Sequence, residues 1–358
     1  MLESKKTIVY GAGAMGEAVI EFLHMANVEI ECILDKSVNS DDMLKNGIKL
    51  YHPEKIPTQY KLTCDFIVAI SACSYIEIKE YLKKLGISSI YSVDEYISKI
   101  YPDVQFTNIW NLTKDKYLQI LDDSKNLFAD DISFNCYEMA INWFYEKNEH
   151  KEEYPEITID RNKYFPDFIT KLFRKDEVML DTSVLSGEYL DKFMKMTSIH
   201  NIIYGFLLKP NTIDIEDLKE KYSSYTNVHL EKFELSDTNG IETRMRVGMM
   251  KPYTEFKQYS YQTKTIDTYF KEKRYSFLRV YSMSPVLPII KGGQKTIIKY
   301  RPIIAVNIGH FEDDFINVPL ELKDNLIDYL FFFRMHSFQG NDSIFYAIPK
   351  ERFYEYEF

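Results

Sequence analysis

Apolar positions gather into a strand at residues 7–10, and the chain then reads as helix at 15–25 and strand again at 29–34. A connecting segment carries Gly47-Ile48-Lys49-Leu50-Tyr51, followed by His52-Pro53. Strand 66–70, helix 75–85 and strand 89–92 come next, with Gly86 where a helix C-cap belongs. This alternation predicts a parallel sheet of four or five strands with helices on both faces. Residues 101–170 read as mainly helical and aromatic; Pro102 and the polar stretch behind it mark a boundary, and Glu146–Glu153 is a charge run suited to a solvated helix end or loop. A second α/β pattern begins at Glu177. Its apolar runs are 178–180, 202–208, 228–233, 277–281 and 302–308, with helices between, and two strand-like segments, 329–333 and 343–348, close the chain. The order suits a parallel sheet ending in an antiparallel pair. The pattern therefore predicts an α/β chain with two Rossmann-like domains, at 1–101 and 171–358, joined by a mostly helical segment at 102–170.

The first strand runs directly into Gly11-Ala12-Gly13-Ala14-Met15-Gly16, a G-x-G-x-x-G turn that opens a helix, and Asp35 closes the next strand about twenty residues on. In that setting Gly11 permits the tight turn, Gly13 lets the backbone approach a pyrophosphate, and Gly16 lets helix pack on strand. The helix N-terminus offers N–H groups to phosphates, and Asp35 can accept from a ribose. The expected ligand is NAD or another nucleotide, a nucleotide sugar included, with Asp35 favouring NAD over NADP. Ser71-Ala72-Cys73-Ser74 follows the strand at 66–70; Ser71 borders the same crevice and can touch a ribose or phosphate, or its neighbours can cap the next helix.

Length supports two domains: 358 residues exceed one ordinary core. Aromatic content of 15%, with 28 Tyr and 24 Phe, points to aromatic-rich cores. The net charge of −10 argues against nucleic-acid partners. No apolar run approaches a membrane span, and no secretory signal precedes the first strand. Cys32, Cys64, Cys73 and Cys136 form no C-x-x-C pair and no zinc-ligand spacing, so they read as reduced thiols in a cytoplasmic protein with no metal.

From about residue 126 to 349 the chain resembles the FkbM family of S-adenosylmethionine-dependent methyltransferases. The resemblance rests on Asn162-Lys163-Tyr164-Phe165-Pro166 and Val178-Met179-Leu180-Asp181, on Glu234-Leu235-Ser236-Asp237-Thr238-Asn239-Gly240 and Thr265-Ile266-Asp267, and on Gly292-Gly293-Gln294-Lys295-Thr296-Ile297 with Arg301-Pro302-Ile303-Ile304-Ala305. It implies a class I methyltransferase architecture for the second domain, S-adenosylmethionine as cofactor at Asp181 and Gly187, and a setting in bacterial glycan or surface-polysaccharide biosynthesis. The first hundred residues resemble nucleotide-binding domains fused to glycan-modifying enzymes.

The departures from the family fall on its chemistry. The motif D-x-G-A-x-x-G is here Asp181-Thr182-Ser183-Val184-Leu185-Ser186-Gly187, with Ser183 in place of the first glycine, where positive φ is disfavoured. The acid expected at the end of the second strand is Leu207. The D-x-E-G-x-E segment is Tyr281-Ser282-Met283-Ser284-Pro285-Val286, so Tyr281, Met283 and Val286 replace three acids and form an apolar patch. His310 and Glu312, followed by Asp313 and Asp314, are the remaining candidates for catalysis. Three readings stay open. One is a nucleotide-binding, methyltransferase-like protein without its S-adenosylmethionine chemistry. The others are a working sugar O-methyltransferase and a glycan-modifying enzyme that uses NAD or a nucleotide sugar. A glycan precursor and a second copy of the chain are further candidate partners.

Overall fold

The computed structural model describes residues 6–39, 44–45, 47–70, 73, 75–100, 112–146, 163–206, 215–246, 257–282, 285–337, 340 and 342–354. Among these, two compact units separate, 6–100 and 112–354.

The first unit holds six strands: β1 (Thr7–Tyr10), β2 (Ile30–Leu34), β3 (Leu44–Lys45), β4 (Ile48–Tyr51), β5 (Asp65–Val68) and β6 (Ile90–Ser92). Their spatial order is β3-β4-β2-β1-β5-β6. All are parallel except β3, which turns back on β4. Helices α1 (Ala14–Met25), α2 (Thr58–Thr63), α3 (Tyr75–Lys84) and α4 (Val93–Ile100) lie among them. Because side chains alternate along a strand, Val9, Ile33 and Ile67 face Val19, Ile20 and Leu23 of α1, while Ile8, Cys32 and Phe66 face Ile78 and Leu82 of α3. β1 is buried on both faces, which explains its unbroken apolar run. Strand order reverses between β1 and β5. The crevice at their carboxyl ends is therefore where a ligand of such a sheet binds.

The second unit is the larger. Its strands are β7 (Met179–Asp181), β8 (Ile203–Phe206), β9 (Val228–Glu231), β10 (Glu234–Leu235), β11 (Gly240–Arg246), β12 (Lys257–Lys264), β13 (Phe277–Val280), β14 (Ile303–Asn307), β15 (Tyr329–Met335) and β16 (Ser343–Pro349). Its helices are α5 (Lys114–Ser124), α6 (Asp131–Glu146), α7 (Asp167–Thr170), α8 (Glu188–Met196), α9 (Ile215–Lys221), α10 (Ile266–Tyr269), α11 (Leu287–Gly292), α12 (Gln294–Tyr300), α13 (Glu312–Asn325) and α14 (Lys350–Tyr354). Seven strands form one sheet, β15-β16-β14-β13-β7-β8-β9. Six point the same way, and β16 lies antiparallel between β14 and β15, as the closing segments suggested. Here the order reverses between β7 and β13.

Two features differ from the sequence pattern. Helices were expected between the apolar runs at 228–233 and 277–281, but β10, β12 and β11 form a small separate sheet there, and among the described residues only the four-residue α10 is helical. Within β11, Ile241 is 80% exposed. The helices α5 and α6, in turn, pack within the second unit. Tyr137 stacks on Phe315 of α13 at 4.6 Å between ring centroids, and Asp130 pairs with Arg334 of β15 at 2.6 Å.

The glycines of the first turn do different work. Gly11 has φ +118°, and a Cβ on it would meet the Ala69 carbonyl oxygen at 2.5 Å. A Cβ on Gly16 would lie 1.9 Å from the Gly11 oxygen, whereas one on Gly13 would meet nothing within 4 Å. Gly16→Ala is expected to destabilise the protein by about 1–3 kcal/mol, the cost of forced overpacking. Gly13→Ala, at a helix N-cap, is expected to cost less than about 1 kcal/mol. Urea denaturation of the two variants measures the difference; equal losses would show that Gly16 is not a packing requirement.

Candidate functional sites

The turn between β1 and α1 is held by two residues that reach it from other strands. Asp35, at the end of β2, accepts from the Ala12 N–H through Oδ2 at 2.8 Å, and from the Ser37 N–H and hydroxyl through Oδ1 at 2.8 and 2.7 Å. Burial alone would raise its pKa. The hydrogen bonds from Ser37 and Ala12 and the nearby Lys45 ammonium outweigh that and hold the carboxyl below its ordinary value. Lys45 of β3 donates to the Ala12 carbonyl and pairs with Glu17 of α1 at 2.7 Å. Gly13, the N-cap of α1, has no side chain to bond the first N–H groups of the helix, so among the described residues no N-cap side chain occupies those donors. Ser71 lies outside the described residues.

The corresponding place in the second unit is filled. Parallel register sets Arg279 of β13 beside Asp181 of β7. The Arg279 Nη1 donates to Asp181 Oδ1 at 2.5 Å and to the Ser183 carbonyl at 3.0 Å, and both charged side chains are fully buried. The guanidinium carbon lies 4.1 Å from the Tyr164 ring centroid and 4.0 Å from that of Tyr189. A cation against aromatic faces in a dry site is stabilised by the ring quadrupoles. Asp181 also accepts from the Ser183 N–H at 3.0 Å. The turn expected to welcome a cofactor is thus bound to an arginine of the same chain.

Other residues of that turn are structural. Gly187 takes φ +82°, and its missing Cβ leaves room for Tyr222, whose hydroxyl donates to the Gly187 carbonyl at 2.9 Å. Among the non-glycine residues of this turn positive φ falls on Leu185 (+47°) rather than on Ser183, so the strain anticipated at Ser183 is displaced by two residues. Leu207 and Met283 lie outside the described residues. The replaced acidic segment is not simply apolar. Tyr281 stands edge-on to His310 at 5.6 Å between centroids, and the Val286 and Leu287 N–H groups are capped by the buried carboxylate of Asp314 at 2.8 and 2.9 Å.

His310 follows β14, with Nε2 at 3.3 Å from Asn307 Nδ2. Glu312 opens α13, and its carboxylate accepts from Lys116 of α5 at 2.6 Å. The hairpin β15–β16 brings further polar groups. His336 Nε2 is 2.9 Å from the Tyr346 hydroxyl, Tyr346 donates to the Lys163 carbonyl, and Lys163 Nζ pairs with Asp342 at 2.5 Å. Burial, reinforced by Lys163 and opposed by Asp342, lowers the pKa of both His310 and His336 to about 4. The sequence reading passed over Arg279, Lys163 and Asp342. A charged residue inside the apolar run Phe277-Leu278-Arg279-Val280 was the signal for the first.

The seven-stranded order, with one antiparallel strand set between its last parallel neighbours, gives the second unit the α/β fold of methyltransferases. The solved structure titled methyltransferase FkbM from Methylobacillus flagellatus KT is similar with a TM-score of 0.65 and 14% identity, over 96% of this chain and 90% of that chain. At such identity the likeness is one of fold. Precorrin-6y C5,15-methyltransferase from Geobacter metallireducens GS-15 matches with a TM-score of 0.31 and 12% identity, over 50% of this chain and 83% of that one, too weakly to add to the argument. A family profile described as C2185-like, N-terminal, matches residues 3–91. No curated protein matches the chain.

Two expectations follow from the buried groups. Asp181→Asn leaves the Arg279 charge uncompensated and is expected to cost about 3–5 kcal/mol, as for other buried pairs cut on one side; chemical denaturation measures it, and a loss under about 1 kcal/mol would mean the pair is solvated. The histidines give a pH signature. Unfolded histidine takes up its proton near 6.5 and these take theirs near 4, so the unfolded state binds more protons between those values and stability falls as pH drops through that window. Asp314, raised to about 6 by burial, acts in the opposite direction over much of the same range. The test is therefore the difference between wild type and a His310→Gln, His336→Gln double variant, whose melting temperature is expected to fall less than wild type between pH 6.5 and 4.

Proposed function

We propose that this chain is a nucleotide-binding protein of bacterial glycan or surface-polysaccharide biosynthesis, and that its methyltransferase-type unit does not carry S-adenosylmethionine chemistry. The observation behind the second half is the Arg279–Asp181 pair. A cofactor that used Asp181 Oδ1 or the Ser183 carbonyl would have to displace a buried guanidinium that also lies on two tyrosine rings; Asp181 Oδ2 has no partner among the described residues but is itself buried. The residues at this turn do not fit S-adenosylmethionine.

The first half rests on the turn at Gly11, Gly13 and Gly16. The uncapped N–H groups of α1 would hold phosphate oxygens, and the open side of Gly13 leaves room for them. Asp35 already accepts three hydrogen bonds, but a carboxylate has about four acceptor positions, so one remains for a ribose hydroxyl. Its charge favours NAD over NADP. The reading also takes the protein to be cytoplasmic; the four cysteines are free, and among the described residues no helix is long and apolar enough to cross a membrane. A working O-methyltransferase is the other reading, and His310 beside Tyr281 is what favours it. A base with a pKa near 4 is a weak one near neutrality.

Calorimetry of the full chain with S-adenosylmethionine, S-adenosylhomocysteine, NAD(H), NADP(H) and UDP-sugars separates these readings. The expected result is binding of one nucleotide class, lost in Gly13→Val with folding retained, and no binding of S-adenosylmethionine. Unchanged nucleotide affinity in Gly13→Val would defeat the first half, and micromolar S-adenosylmethionine binding the second. Any methyl transfer lost in His310→Ala, with folding unchanged, would make the enzyme reading the better one.

A further inference from the structure

Lys45 stands in an electrostatically awkward place. Its ammonium lies at the Ala12 carbonyl, one residue before the N-cap of α1, beside the positive end of the helix dipole. A cation there needs an anion, and the protein provides Glu17, 2.7 Å away in the first turn of the same helix. That pair is weakly held. The Lys45 and Glu17 side chains are 27% and 55% exposed, and ion pairs so placed contribute about 0–1 kcal/mol. Glu17 is tied to α1 and Lys45 to the short β3–β4 turn. Asp35 holds the same residue from the other side, through the Ala12 N–H. The Ala12 unit is thereby fixed at both ends, while the donors that follow it in the chain remain uncapped.

We propose that Lys45 is a phosphate-binding residue for a pyrophosphate-containing nucleotide, and that Glu17 occupies its ammonium in the absence of that ligand. Binding exchanges the Lys45–Glu17 pair for a Lys45–phosphate contact. The exchange is favourable because a phosphate carries more charge than one carboxylate and takes the uncapped N–H groups of α1 at the same time. Glu17 thus acts as an internal competitor, lowering affinity for phosphates and leaving nucleoside recognition alone. The proposal rests on the nucleotide reading of this turn and names the part of the ligand that the second side chain would hold.

The opposite signs expected of two substitutions provide the test. The full-length protein and its Lys45→Met, Lys45→Arg and Glu17→Gln variants are titrated by calorimetry with NAD, UDP-N-acetylglucosamine, adenosine and uridine, after circular dichroism has shown each to be folded. Lys45→Met is expected to weaken the bound pyrophosphate nucleotide about tenfold or more, the scale of one lost charge-assisted hydrogen bond. Lys45→Arg should retain most of the affinity, Glu17→Gln should tighten it severalfold, and the loss in Lys45→Met should be severalfold larger for the nucleotide than for the matching nucleoside. Unchanged NAD and UDP-sugar affinity in Lys45→Met, or weaker binding in Glu17→Gln, would overturn the assignment while leaving nucleotide binding in place. If wild type binds neither nucleotide, the reading of the turn fails and the assignment fails with it.

Discussion

The second unit is organised around one buried ion pair. Charges removed from water are tolerated only when geometry is favourable and other donors and acceptors are engaged. Strand register meets the first condition by setting Arg279 beside Asp181. The second is met only in part: Nη1 reaches the Ser183 carbonyl and the guanidinium lies on the faces of Tyr164 and Tyr189, while Arg279 Nε and Nη2 and Asp181 Oδ2 are buried without a hydrogen-bond partner among the described residues. Each then constrains its own element. Tyr164 belongs to the segment leading to α7, Tyr189 to the first turn of α8, and Ser183 to the turn after β7. The pair consequently fixes the path of the chain on three sides of the place where a parallel sheet of this order receives a ligand.

The two units answer the same topological rule differently. In each, strand order reverses and leaves a crevice at the carboxyl ends. In the first, glycine keeps the approach open and charged side chains stand around the turn, with Glu17 half in solvent. In the second, Ser183 stands where a glycine is expected, and an arginine from the neighbouring strand is bound to Asp181. The difference lies in a few side chains rather than in the backbone plan, so fold and chemistry separate cleanly here.

That separation also governs what was readable beforehand. Strand–helix alternation revealed both sheets, and the closing antiparallel pair, because core strands must be apolar. Several family-like segments turn out to be architectural. Thr265 caps α10, Asp267 accepts from the Lys295 and Thr296 N–H groups at the start of α12, and Gly292 lets the Ser236 carbonyl pass where a Cβ would stand 2.0 Å away. Such residues keep their identity for local geometric reasons, so a sequence shows them. The pairing of Arg279 with Asp181, and of Lys163 with Asp342, joins residues 98 and 179 positions apart. Strand register brings the first pair together and tertiary packing the second, and no local pattern reports either pairing. The β11–β12 hairpin escaped for another reason: its faces are too polar to separate from loop.

The packing of α6 bears on how this protein can be divided. Tyr137 lies against Phe315 and Phe333, its hydroxyl donates to the Phe315 carbonyl, and Ser133 and Asp130 hold the backbone and arginine of β15. A shortened chain beginning at β7 would turn those phenyl rings to water and leave the β15 edge open to pairing with other molecules. Limited proteolysis or recombinant dissection that is to yield a soluble second half must therefore cut ahead of Lys114, well before the sheet itself begins.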